Sequence, residues 1–215
     1  MKIGVFDSGV GGLSMANAIK KALPEVEVVL KEDKEHVPYG LRQPDEIFGF
    51  VLPILNELVQ ENCDVIVVAC NTVTTTIIGR IREKISVPII AIEPMVKPAM
   101  ELTKTKKIAV CATPTTLSSA RYKELKNEFA KGIEVYEPDC SNWSKLIEEN
   151  EINEEIIESR IEDVLKKGTD VIVLACTHYH WIEQEISEIA KDRAVVLNPE
   201  EAIIRQLKTV LKQLG

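Results

Sequence analysis

DVIVVACNT (Asp64–Thr72) and DVIVLACTH (Asp170–His178) are near-identical stretches of one 215-residue chain. Each is an unbroken Val, Ile and Ala run that ends in a cysteine followed by small polar residues. A run apolar at every position, rather than at alternate ones, reads as a strand covered on both faces, as in a parallel sheet between layers of helices.

The same character recurs in KIGVF, VEVVL, VPIIAI, KIAVC, IEVYE and AVVLN. Helical spacing alternates with these runs, over Leu13 to Leu23, Pro44 to Gln60 and Glu154 to Lys167. Strand and helix in alternation predict an α/β protein with mainly parallel sheets. Asp64 and Asp170 stand 106 residues apart, and three other pairs of blocks keep nearly that spacing. KIGVFDSGVGGLS at Lys2 faces KIAVCATPTTLSS at Lys107, VEVVL at Val26 faces IEVYE at Ile133, and IAIEP ending at Pro94 faces VVLNP ending at Pro199. One such match means little, but four in the same order predict two pseudo-symmetric domains, 1–97 and 98–215. The last helix, 201–215, is free to pack back on the first domain.

A net charge of -8 disfavours nucleic acid and anionic membrane as partners, since both call for a basic surface. The N-terminus MKIGVFDSGVGG is broken by Asp7 and glycines and fails as a signal peptide, and no stretch approaches the ~20 apolar residues of a membrane span. Five cysteines, Cys63, Cys70, Cys111, Cys140 and Cys176, form no CxxC pair and no cluster at metal-ligand spacing. The expectation is a cytoplasmic protein without a metal site.

Ligands of parallel α/β sheets gather at the carboxyl ends of strands. Four such ends are polar here: Asp7-Ser8, Cys70-Asn71-Thr72, Thr113 to Thr116, and Cys176-Thr177-His178. Two facing halves would bring them to one cleft. Cys63 and Cys111 read as buried filler, and Cys140 is open between filler and function. Cys70 and Cys176 each stand where a strand ends and a capping run begins, where a helix dipole would lower the thiol pKa. Two equivalent thiols do not suit a nucleophile site, which needs one sulfur and one base. They suit inversion of a stereocentre, one removing a proton from one side while the other delivers a proton to the opposite side. Asn71, Thr72, Thr113 and Thr116 can hold a carboxylate, with Asn71, Thr72 and Thr116 open to being helix caps only; Asp7 can hold an ammonium group or orient a thiol proton; His178 can share the proton of Cys176 or be a satisfied strand-end histidine. The turn at Gly9, Gly11 and Gly12 lacks a nucleotide fingerprint and is expected to pack close to the substrate.

Through FDSGVGGLS, VPYG, ACNT, the T-x-x-T pair of ATPTTLSS, and CTHY, the sequence resembles the glutamate racemases of the aspartate/glutamate racemase superfamily. The resemblance spans most of the chain. It implies two α/β domains of similar topology with the active site between them, and a cofactor-independent interconversion of L- and D-glutamate that supplies peptidoglycan synthesis. It further implies that Cys70 acts on the D enantiomer and Cys176 on the L, assisted by Asp7 and His178. Ser8, Pro38, Tyr39 and Gly40 would bind the side-chain carboxylate, and Asn71, Thr72, Thr113, Thr116 and Thr177 the amino-acid head. Glu148 would lie near the substrate ammonium. The expected partner is a small amino acid, with a homodimer the one assembly left open. Departures from the family pattern fall at Glu32-Asp33 and His36 before VPYG, at Cys140-Ser141, at His180 after CTHY, and at Asn198-Pro199. An aspartate or other amino-acid racemase of the superfamily, or a catalytically silent amino-acid-binding protein, are the alternatives.

Overall fold

The computed structural model describes residues 1–214. Eight strands form, β1 (Lys2–Asp7), β2 (Glu27–Glu32), β3 (Val65–Val68), β4 (Ile89–Ala91), β5 (Lys107–Ala112), β6 (Glu134–Tyr136), β7 (Val171–Ala175) and β8 (Val195–Leu197). They make two four-stranded sheets of orders β2-β1-β3-β4 and β6-β5-β7-β8, parallel throughout. The sequence repeat is therefore a repeat of topology, and β3 and β7, the two DVIV runs, hold the same interior place.

Between the strands run α1 (Gly11–Ala22), α2 (Pro44–Gln60), α3 (Asn71–Thr76), α4 (Ile78–Arg82), α5 (Val96–Leu102), α6 (Pro114–Ser118), α7 (Ala120–Phe129), α8 (Trp143–Glu148), α9 (Glu154–Lys166), α10 (Glu183–Ala190) and α11 (Glu200–Leu214). Local chemistry explains the boundaries of α2, which begins with a Gln43/Glu46 capping box, Pro44 in its first turn and two acids facing the positive helix end. Helix α1 starts two residues earlier than its apolar spacing predicts. The first turn is two glycines because its backbone is crowded on both sides: a Cβ on Gly11 would stand 2.6 Å from Thr177 of the other half, and one on Gly12 2.6 Å from Asp7 Cβ.

Alternate residues of each strand face opposite layers. Val65 and Val67 pack with Met15 and Ile19 of α1, whereas Ile66 and Val68 pack with Ile47, Val51 and Leu55 of α2. In the second half, Ile172 and Leu174 pack with Ile157 and Ile161 of α9 beneath Trp143 and Tyr179, while Val171 and Val173 face Tyr122 and Leu125 of α7. Helix α11 crosses back, seating Ile203 and Leu207 among Ile3, Val5 and Ile90 of the first sheet. No described helix is long and apolar enough to cross a membrane.

Candidate active site

Both DVIV strands run out at a thiol. Cys70 is the residue before α3, and Cys176 precedes a 3-10 turn, Thr177–Ile182. Both are buried and line one cavity between the sheets, with Ser8, Pro38, Tyr39, Gly40, Asn71, Thr72, Thr113, Ser144, Thr177 and His178. The cavity measures about 10 Å³, no more than one water needs. A space of that size does not hold an amino acid.

The Cys176 side is a chain of polar contacts. Cys176 Sγ lies 3.7 Å from His178 Nδ1, His178 Nε2 lies 2.7 Å from Glu148 Oε1, and the same oxygen accepts the Val10 N–H at 2.9 Å. Burial works against a charged His178, but the bonds to Cys176 and Glu148 and the nearby Asp7 charge outweigh it and hold the imidazole well above its ordinary pKa. Glu148 pulls the other way: burial raises its pKa, yet His178 and the Val10 amide bring it below the ordinary carboxylate value. The pair is an imidazolium and a carboxylate. Gly9 makes the approach feasible, since a Cβ there would overlap Glu148 and stand 2.9 Å from His178 Nε2.

The Cys70 side differs. Its sulfur meets Ser8 Oγ at 3.4 Å, and burial, followed by the Asp7 charge, pushes the thiol up to about 12. This corrects the expectation that a helix start would lower it: α3 has only six residues, and desolvation outweighs the dipole of so short a helix. Asp7 is fully buried; burial lifts its carboxyl to about 6 against the His178 charge and bonds from the Gly9 amide at 3.1 Å and Thr177 Oγ1 at 3.0 Å. Asp7 thus stands between the two thiol arrangements without lining the cavity.

The remaining wall offers donors and acceptors. The Asn71 amide is buried with neither its nitrogen nor its oxygen hydrogen-bonded, so it stands as a ready ligand for a polar group in the cavity. Thr72 Oγ1 and Thr113 Oγ1 are 3.1 Å apart across the cleft. The capping role expected of Asn71, Thr72 or Thr116 falls at α6 to Thr113 instead, whose hydroxyl accepts the Thr116 N–H and donates to Thr116 Oγ1 at 3.1 Å. Thr116 and Glu148 therefore lie one residue back from the wall. The glycine turn packs on His178, Glu148 and Thr177 and does not line the cavity as expected.

Ser144 was not foreseen. It reaches the cavity from α8, in a loop-and-helix stretch whose sequence carries no strand-end signal. Cys63, Cys111 and Cys140 are buried in the apolar clusters, away from the cavity. The buried His180 side chain lies 3.7 Å from Glu200 and does not line the cavity, with burial and the His178 charge lowering its pKa to about 4.

Residues 3–207 match the family model described as Asp/Glu/Hydantoin racemase. The chain is 36% identical to a glutamate racemase of Clostridium acetobutylicum, over 97% of this chain and 83% of that protein. Its fold is similar to the crystal structure of Escherichia coli glutamate racemase in complex with L-glutamate and the activator UDP-MurNAc-Ala, with a TM-score of 0.88 at 27% identity, covering 98% of this chain and 82% of that one. It is also similar to the glutamate racemase of Aquifex pyrophilus, with a TM-score of 0.78 at 36% identity, covering 98% and 84%.

Proposed function

Because the chain belongs to the Asp/Glu/hydantoin racemase family, we propose that it interconverts L- and D-glutamate by proton transfer between two thiols across one α-carbon. The observation that carries this reading is that Cys70 and Cys176, at equivalent ends of two topologically equivalent strands, open on the same cavity. The relatives named glutamate racemase supply the substrate.

Starting from the L enantiomer, the Cys176 thiolate, steadied by the His178 imidazolium, takes the α-proton. The electron pair left on carbon delocalises into the α-carboxylate, where the Asn71 amide and the Thr72 hydroxyl are placed to donate. The Cys70 thiol then protonates the opposite face, giving the D enantiomer and a Cys70 thiolate. The two sulfurs have exchanged protonation states, and the reverse reaction begins from there. A thiol raised to about 12 is a suitable resting acid for this step, because it remains protonated until the carbanion faces it. Ser8 and the Pro38–Gly40 wall receive the side-chain carboxylate, and the two sheets with their helices act as the closing bodies, α11 moving with the first. In the cell the reading places this reaction in the cytoplasm, with D-glutamate passing to peptidoglycan synthesis.

The test is α-proton exchange in deuterated water, followed by NMR together with chiral analysis. Wild-type protein should exchange and racemise glutamate faster than aspartate. Cys176→Ser should wash deuterium into D-glutamate with retention, and Cys70→Ser into L-glutamate, neither variant racemising. Full racemisation by either variant would remove the two-thiol assignment, and faster turnover of aspartate would remove the substrate.

A further inference from the structure

Asp33 carries a buried carboxylate just past the end of β2, and among the described residues no Lys or Arg bridges to it. Its backbone N–H donates to the Asp7 carbonyl at 3.3 Å, which ties it to the carboxyl end of β1. Its carboxylate accepts the Tyr39 hydroxyl, and both oxygens lie within 2.9 Å of His36 Nδ1. His36 is itself fixed by stacking on Phe50, with ring centroids 3.8 Å apart and planes 13° apart.

Tyr39 is the centre of the Pro38–Gly40 wall and is almost wholly buried. A tyrosine in a polar cleft would ordinarily present its hydroxyl to a substrate. Here the hydroxyl is committed to Asp33, outside the set of groups that line the cavity. The ring is then a spacer whose position is set from behind, and the backbone of Tyr39 and Gly40 follows it into the 3-10 turn Tyr39–Leu41. Burial and the Asp33 carboxylate raise the Tyr39 hydroxyl far above its usual pKa, so it remains a donor over the working range of pH.

We propose that Asp33 is a positioning residue for the substrate's side-chain carboxylate, acting through Tyr39 to hold the Pro38–Gly40 wall in place. The proposal rests on the glutamate reading given above. A hydrogen bond to a buried charged acceptor contributes enough to shift binding by about 10-fold. Its loss should act on how well the wall meets the substrate and not on the thiols, whose hydrogen-bond partners are Ser8 and His178 and not Tyr39 or Asp33.

The experiment measures kcat and KM for glutamate in Asp33→Ala, Asp33→Asn, Tyr39→Phe and the double variant Asp33→Ala/Tyr39→Phe, with folding monitored by circular dichroism. Asp33→Ala and Tyr39→Phe should each raise KM about 10-fold while kcat changes about 2-fold or less. The double variant should be no worse than Asp33→Ala alone, because the Tyr39–Asp33 contact is already absent there. Asp33→Asn retains an acceptor oxygen and should recover most of the affinity. Additive losses, a fall in kcat without a change in KM, or unchanged kinetics in Tyr39→Phe would each overturn the proposal. Should Asp33→Ala fail to fold, Tyr39→Phe and Asp33→Asn decide. A wild-type enzyme inactive on glutamate would instead overturn the glutamate reading, which separates the two failures.

Discussion

Glu148 and His178, thirty residues apart in sequence, meet at 2.7 Å, and the other nitrogen of the same imidazole faces Cys176 at 3.7 Å. Without the carboxylate, nothing else on that side would favour the imidazolium except Cys176 and Asp7. We therefore expect Glu148→Gln to bring the His178 pKa down. If the imidazolium supports the Cys176 thiolate, the alkaline limb of the kcat/KM profile moves to lower pH and kcat/KM at neutral pH falls about 10-fold. L- and D-glutamate are equal in energy, so the fall must be the same in both directions. A profile with its alkaline limb unmoved would show that Glu148 only holds the glycine turn through Val10.

Much of this arrangement was legible in the chain because it sits at strand ends. The DVIV runs announce buried parallel strands, and the polar residues after them had nowhere to go but the carboxyl edge of a sheet. Thr116 is named by its strand end and Glu148, on the same helix as Ser144, only by the family resemblance; both stand behind the cavity wall, a depth that leaves no trace in spacing. Ser144 was not legible, because it arrives from a short helix packed across the cleft. The direction of the Cys70 pKa was missed for a different reason. Sequence gives the helix start but not the burial, and burial dominates there.

Asp7 should make stability fall with pH through a defined window. Its carboxyl is lifted by burial to about 6, above the ~3.9 of an unfolded chain. Between those values the native state holds the proton more tightly than the unfolded state, so this group's contribution is fully present below pH ~4 and lost as pH rises through 6. Relative to Asp7→Asn, the wild-type protein is expected to lose about 2 kcal/mol from pH 4 to pH 6 and a few tenths more by about pH 7, after which this group adds nothing further. Urea unfolding of both proteins across that range reads the difference directly. A difference independent of pH would mean that Asp7 keeps an ordinary pKa.

Leu207 offers a test of the crossing helix. It is fully buried on α11 yet packs among residues of the first sheet, including Ile3, Val5 and Val67. Truncating a core leucine costs about 3 kcal/mol through lost transfer energy and the cavity left behind. Leu207→Ala should accordingly lower the urea midpoint strongly, whereas Lys208→Ala, on the exposed face of the same helix, should leave it within error. Equal and small effects would indicate that α11 is not bound to the first sheet in solution.

The smallness of the cavity makes opening a necessary step, and one contact outside the cavity lining bears on it. Thr115 Oγ1 of α6, in the second half, donates to the Gly40 carbonyl of the first at 2.5 Å. The bond exists only while the halves are together, so it favours the closed form by about 1 kcal/mol without touching the thiols. Thr115→Val keeps shape and removes the hydroxyl. The closed-to-open ratio should drop about 5-fold, and KM for glutamate should rise by a similar factor, because the closed complex loses the contact. kcat should not fall, and it should rise if opening for product release limits turnover. Thr115→Ser, which restores the donor, should return KM to the wild-type value. A loss of kcat at constant KM in Thr115→Val would show that the hydroxyl acts on the chemical step, and the closure argument would then fail.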